Sequence, residues 1–197
     1  MSILPTGKQD NFHIKEDFIR FKMANYVFDL LPKDRPIVVV CIGSDRSTGD
    51  SFGPLIGTNI QKRKPAKLKV YGTLEHPVHA LNLQETTDHI YASYDNPYVI
   101  AIDAALGSVS KLQTIDVGEG SLSPGTALKK EIDPIGDLYL KGYVNALGLM
   151  PLQVLQCTRL YEVMEMSDCV SRSLLYVDLS LKTKAEEKPP APIRDIK

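Results

Sequence analysis

An α/β fold, a three-layer sandwich with a mainly parallel or mixed sheet, is predicted by two features of the 197-residue chain. Strand-like apolar runs alternate with helix-like stretches, and the strongest runs have no polar face. Ile37-Val38-Val39-Val40-Cys41-Ile42 and Tyr98-Val99-Ile100-Ala101-Ile102 are of this kind, which suits strands covered by helices on both sides. Alternation with helices then favours parallel pairing, because parallel neighbours need long crossover connections.

Taken in order, Ile14 to about Leu31 places Phe18, Phe21, Val27 and Leu30 among charged residues, which predicts an amphipathic helix stopped by Pro32. The Ile37–Ile42 strand follows. Phe52, Leu55, Ile56 and Ile60 return at helical spacing, and Lys62-Arg63-Lys64-Pro65 supplies a cationic end and a stop. Leu68–Tyr71 reads as a short strand and Val78 to about Tyr91 as a helix. Tyr98–Asp103 is a third strand, ending on an acid. Leu112–Val117 alternates like a strand with a wetter face near a sheet edge, and Gly118, Gly120, Pro124 and Gly125 mark a loop. Leu138–Val144 suits another strand, Leu149 to Met166 a helix, and Val170–Leu181 either. Residues 1–181 are read as one domain and residues 182–197, rich in Lys, Glu and Pro, as a flexible tail.

Composition narrows the function classes. With 43% hydrophobic and 24% charged residues and a net charge of -1, the chain has no overall basic character to hold nucleic acid. Its apolar runs are too short to span a bilayer, and the amino terminus lacks the basic and apolar regions of a secretory signal. Cys41, Cys157 and Cys169 are odd in number and have no Cys-x-x-Cys spacing, so neither a disulfide framework nor a zinc knuckle is expected. A cytoplasmic protein without membrane or nucleic-acid partners is the expectation. Oligomeric state is not fixed by pattern.

The loop Gly43-Ser44-Asp45-Arg46-Ser47-Thr48-Gly49-Asp50 follows the first buried strand, where parallel sheets bind ligands. Neighbouring strands share that rim, so Asp50 and Asp103 can meet despite their separation in sequence. Two close carboxylates oppose joint ionisation: one holds a proton while the other activates water, the arrangement acid/base hydrolysis needs. The plainer alternatives are that Asp50 caps the following helix and that Asp103 makes a loop contact. Arg46 either grips a substrate carboxylate or a phosphate, or pairs with Asp45 or Asp50. The loop is no phosphate-binding Walker motif, since the Lys after the second Gly is missing. Cys41 and Cys157 read as core packing.

Three segments carry a family resemblance: the loop Gly43–Pro54, Tyr71-Gly72-Thr73-Leu74-Glu75-His76-Pro77-Val78-His79-Ala80, and Ile100-Ala101-Ile102-Asp103-Ala104-Ala105-Leu106-Gly107. Together they resemble the sporulation protein YyaC family, whose members are also called spore proteases. Similarity continues through Ser123-Pro124-Gly125, Pro134-Ile135-Gly136-Asp137 and Leu155-Gln156-Cys157-Thr158-Arg159-Leu160, and so spans about residues 36–166. That family resembles the germination protease that degrades small acid-soluble spore proteins. More remotely it resembles the hydrogenase maturation endopeptidases. All have a phosphorylase/hydrolase-like α/β fold.

The resemblance implies that Asp50 matches the germination protease's loop acid, which precedes a small-Gly-Pro sequence, and that Asp103 matches its second acid at the end of an Ile-Ala-Ile-Asp-Ala strand. The germination protease is considerably larger, so self-processing does not carry over. Hydrogenase maturation enzymes hold nickel with a loop acid, a strand-end Asp and a later His; here His13, His76, His79 and His89 all precede Asp103. No cofactor or metal site is therefore expected. A divalent metal would require His76 or His79 to fold back to the rim. Both read better as surface or first-turn residues, and Glu75 as a partner of a helix start.

The resulting expectation is a peptidase-like hydrolase in which Asp50 and Asp103 activate water against a peptide bond of a sporulation-related protein, small acid-soluble spore proteins among the candidates. Arg46 or backbone amides near Gly43 and Ser44 would polarise the carbonyl. The alternative is a non-catalytic sporulation protein that binds a peptide or small anion on the same fold.

Overall fold

Six strands form one mixed sheet in a computed structural model that describes residues 7–124 and 133–186. The strands are β1 (Gln9–His13), β2 (Ile37–Cys41), β3 (Leu68–Tyr71), β4 (Tyr98–Gly107), β5 (Thr114–Glu119) and β6 (Leu138–Ala146), arranged β1-β5-β6-β4-β2-β3. Pairs β2–β3, β2–β4 and β4–β6 are parallel, and β5 is antiparallel to both its neighbours. The helices are α1 (Ile19–Leu30), α2 (Phe52–Gln61), α3 (Leu83–Ser93), α4 (Pro151–Gln156) and α5 (Leu160–Glu186).

The unbroken apolar run of β2 divides by parity. Ile37, Val39 and Cys41 join Phe52, Ile56 and Ile60 of α2, Met23 and Val27 of α1, and Val163, Met166 and Val170 of α5. Val38, Val40 and Ile42 join Leu83 and Ile90 of α3 on the other face. The three layers follow from this, since a strand with two apolar faces needs a cover on each. Phe52, fully buried, contributes roughly 2–3 kcal/mol by the area it removes from water. A Cβ at Gly142 of β6 would lie 2.5 Å from its ring, so the strand and the start of α2 fit only with glycine there.

Several sequence expectations need correction. The first helix begins at Ile19, not Ile14, and the chain before it forms β1, an edge strand of mostly exposed polar residues with no periodic signal. β5 has no wet face, since Thr114 and Asp116 are buried, and it is not the edge itself, since β1 pairs along its outer side. The helix expected over 149–166 is two, α4 and α5, separated at Cys157–Arg159. The segment expected as a helix from Val78 starts one only at Leu83, because Val78 first bridges Ile42 beside β2. α5 continues to Glu186, past the Lys182 boundary read for the tail. Gly125 of the proposed loop, residues 1–6 and tail residues 187–197 lie outside the described residues.

Candidate active site

β2 and β4 are parallel neighbours whose chains leave in different ways, β2 through α2 to β3 and β4 toward β5, the topology at whose carboxyl ends open α/β sheets hold their ligands. Asp50 and Asp103 both belong to this rim. Pairing of β2 with β4 ends at Cys41↔Ile102, and Asp103 is the next residue. Asp50 lies in the 3-10 turn Gly49–Ser51 that opens α2, and Cα atoms of that turn approach β4 within 8 Å. The elements carrying the two acids are thus packed together. β4 itself continues to Gly107, so Asp103 stands within the strand and not at its end as the sequence suggested.

The loop holding Asp50 closes on itself. The Ser44 amide donates to the Asp50 carbonyl at 3.1 Å, and Ser51 donates through its amide to Ser47 and its hydroxyl to Thr48. Gly43 adopts φ 140°, and a Cβ there would fall 2.0 Å from the Asp50 carbonyl oxygen, so only glycine permits the closure. Helix α2 starts without any side-chain cap. The capping alternative for Asp50 is therefore not realised. Its carboxyl is pushed up from the usual 3.8 by burial, which outweighs a hydrogen bond from the Ser44 amide and the electrostatic pull of nearby His79.

Asp103 is 8% exposed, and its Oδ1 accepts the Ala104 amide at 2.9 Å. A buried carboxylate at the fork between two strands carries a high solvation cost unless it is hydrogen-bonded, and such positions are where functional acids concentrate.

His79, read from the sequence as a surface or first-turn residue that would have to fold back to reach the rim, does come to the Asp50 loop. The Ile42↔Val78 bridge and the Gly43 amide, which donates to the Val78 carbonyl at 2.8 Å, draw the segment after β3 onto the Asp50 loop. His79 follows immediately. Its Nδ1 accepts the Leu81 amide at 3.3 Å, and its own amide donates to Asn82 Oδ1 at 2.8 Å. Spacing gave no sign of this. The only available signal was Val78, an apolar residue directly after a turn.

The other expected residues fare differently. The amides of Gly43 and Ser44, expected to face a substrate carbonyl, donate here to the Val78 carbonyl and to Asp50, so both bind the loop together. Arg46 is exposed, and its side chain pairs with neither Asp45 nor Asp50 among the described residues. Glu75 and His76 form an exposed pair at 3.9 Å; with His79 and Asn82 they line a cleft of about 530 Å³ at the end of β3. Among the described residues no group of three or more His, Cys, Asp or Glu is placed to hold a metal ion. Cys41 is fully buried, and burial pushes its thiol far up, out of reach of nucleophilic chemistry. Cys157, expected in the core, is exposed just past α4.

With this geometry the chain was compared with known proteins. It is 45% identical over 144 residues to the Bacillus subtilis (strain 168) protein titled "Uncharacterized protein YyaC", covering 73% of this chain and 70% of that one. Among solved structures it resembles the [NiFe] hydrogenase maturation protease HycI from Thermococcus kodakarensis KOD1, with a TM-score of 0.52, 15% identity, and coverage of 78% of this chain and 99% of that one. At that identity the likeness establishes the α/β fold alone. No helix among the described residues is long and apolar enough to cross a membrane. A family model described as "Protein of unknown function (DUF1256)" matches residues 11–173, and the chain belongs to that family.

Proposed function

We propose that this protein is a peptidase-like hydrolase whose Asp50 and Asp103 together direct water against a peptide bond. The observation that carries this reading is the packing of the Asp50 turn against β4 at the point where β2 stops pairing and Asp103 begins. Burial favours the protonated form of Asp50, which assigns it the acid role. Asp103 is then the base. It takes a proton from water as the water oxygen attacks the carbonyl carbon, while Asp50 gives its proton to the departing amide nitrogen as the C–N bond breaks. His79, beside Asp50, limits how far burial raises the acid and keeps it able to release its proton. The protease fold of HycI supports the reaction class. Resemblance to the germination protease supports a substrate among the proteins of the sporulating cell, and hence a cytoplasmic site of action.

The test is cleavage of a small acid-soluble spore protein or a casein mixture by the purified chain. Asp50→Asn and Asp103→Asn should each lower the rate by roughly 10²–10⁴-fold, the range of a lost general acid or base. Undiminished cleavage by both variants would overturn the mechanism. Peptide binding without any cleavage would favour a non-catalytic binding protein.

A further inference from the structure

The edge of β4 beyond Ile102 has no strand beside it among the described residues. β2 stops pairing at Cys41↔Ile102, where the Ile42 amide donates to the Ile102 carbonyl at 2.7 Å, yet β4 runs on to Gly107. Its opposite edge stays paired with β6 as far as Gly107↔Ala146. Ala104 to Gly107 are only partly buried. The Asp103 carboxylate takes the Ala104 amide, the first amide past the end of pairing, so the open edge starts at the acid itself.

An apolar lip begins at the end of the same strand, on its β6-paired side, and crosses toward the Asp50 turn. The Leu147 amide donates to the Gly107 carbonyl at 2.8 Å, fixing where the lip begins. Leu147, Leu149, Met150 and Leu152 then expose large side chains, Leu149 completely at 104%. The chain returns through α4 to the Asp50 turn. Leu155 packs so closely on Gly49 that a Cβ there would lie 2.8 Å from its Cδ2, and Asn145 Nδ2 donates to Thr158 Oγ1 at 3.1 Å. The lip therefore spans from the end of β4 to the turn that carries Asp50. Clustered exposed apolar side chains mark binding surfaces, and an unpaired strand edge is a template for another extended chain.

We propose that this edge and lip hold an extended apolar segment of a polypeptide, which adds to the sheet as a strand along Ala104–Gly107 and lays apolar side chains on Leu147–Leu152. The edge decides the occupant. Its backbone groups call for a chain that offers amides and carbonyls at strand spacing, and the lip calls for apolar side chains on it. The inference rests on the peptidase reading for one point only, that the segment is a substrate; the docking itself does not depend on cleavage.

The probe is a short fluorescein-labelled peptide of alternating Leu and Thr, alongside the same peptide N-methylated at alternate residues. Binding is read by anisotropy with the full chain carrying both Asp50→Asn and Asp103→Asn, so that no probe is consumed. The unmodified peptide should bind, and N-methylation should weaken it at least roughly tenfold by blocking the ladder. A Leu149→Ser/Met150→Ser double substitution should weaken it similarly with unchanged Tm, since both side chains are exposed. Equal binding of the N-methylated peptide would overturn strand addition without altering the protein. Equal binding by the lip variant would overturn the lip. A dimer that dissociates in the lip variant and binds no peptide, or lip-dependent flotation with phosphatidylcholine vesicles in place of peptide binding, would assign the surface to another occupant. Peptide held but not cut by the unsubstituted chain would defeat the peptidase reading and leave docking intact. Cleavage independent of edge and lip would do the reverse.

Discussion

Asp50 costs the fold stability at neutral pH. Its folded pKa is raised by burial, so its contribution is fully present below the unfolded value of 3.8 and is lost as pH rises through the folded pKa. Asp50→Asn should therefore raise Tm at pH 7 while removing the proposed cleavage, and the gain should close as the pH falls below 3.8, which thermal melts across pH will show. A gain in stability with a loss of function is the usual sign of a strained working residue. The residue type and its loop were readable from the sequence, because a polar, glycine-punctuated stretch after a buried strand is unusual. Its environment was not. Whether Asp50 caps α2 or sits in a closed turn against β4 depends on a closure between Gly43 and Asp50, and His79 arrives only through the bridge of Val78 to Ile42.

At the scale of elements, α5 and β3 are tied by one side chain. Asp178, buried on α5, accepts the amides of Ala66 at 2.9 Å, Lys67 at 2.7 Å and Leu68 at 2.9 Å, and so fixes where β3 begins. Asp178→Ala leaves these amides without their acceptor and should cost about 2–4 kcal/mol in urea unfolding. A loss under about 0.5 kcal/mol would show that water or another group replaces the carboxylate. Central strands were legible because an apolar run buried on both faces has one reading. β1 and the break between α4 and α5 were not, since an edge strand carries little hydrophobic signal and Cys157–Arg159 contains neither Gly nor Pro.

Across the molecule, the antiparallel end of the sheet is held by a polar cluster. Burial pushes the Asp116 carboxyl up, but hydrogen bonds from Lys111, Asn11 and Tyr143 outweigh it and hold the pKa below 3.8. The sign is opposite to that of Asp50: this stability is present above 3.8 and lost as pH falls through the lower folded value. Asp116→Asn should cost about 1–3 kcal/mol at pH 7, discounted toward the lower end because Lys111 is 43% exposed, and the difference from the unsubstituted chain should vanish in strong acid. A constant difference across pH would assign the loss to shape instead of charge. The amino-acid sequence by itself determined the α/β class, the central strands β2 and β4 and the two acids on the rim, because burial on both faces and a polar loop after a strand are local, periodic signals. Tertiary structure alone decided the strand order, the approach of His79, the loss of the Gly43 and Ser44 amides to internal bonds, and the open edge of β4. Each of these depends on pairing between segments far apart in the chain, which no local pattern encodes.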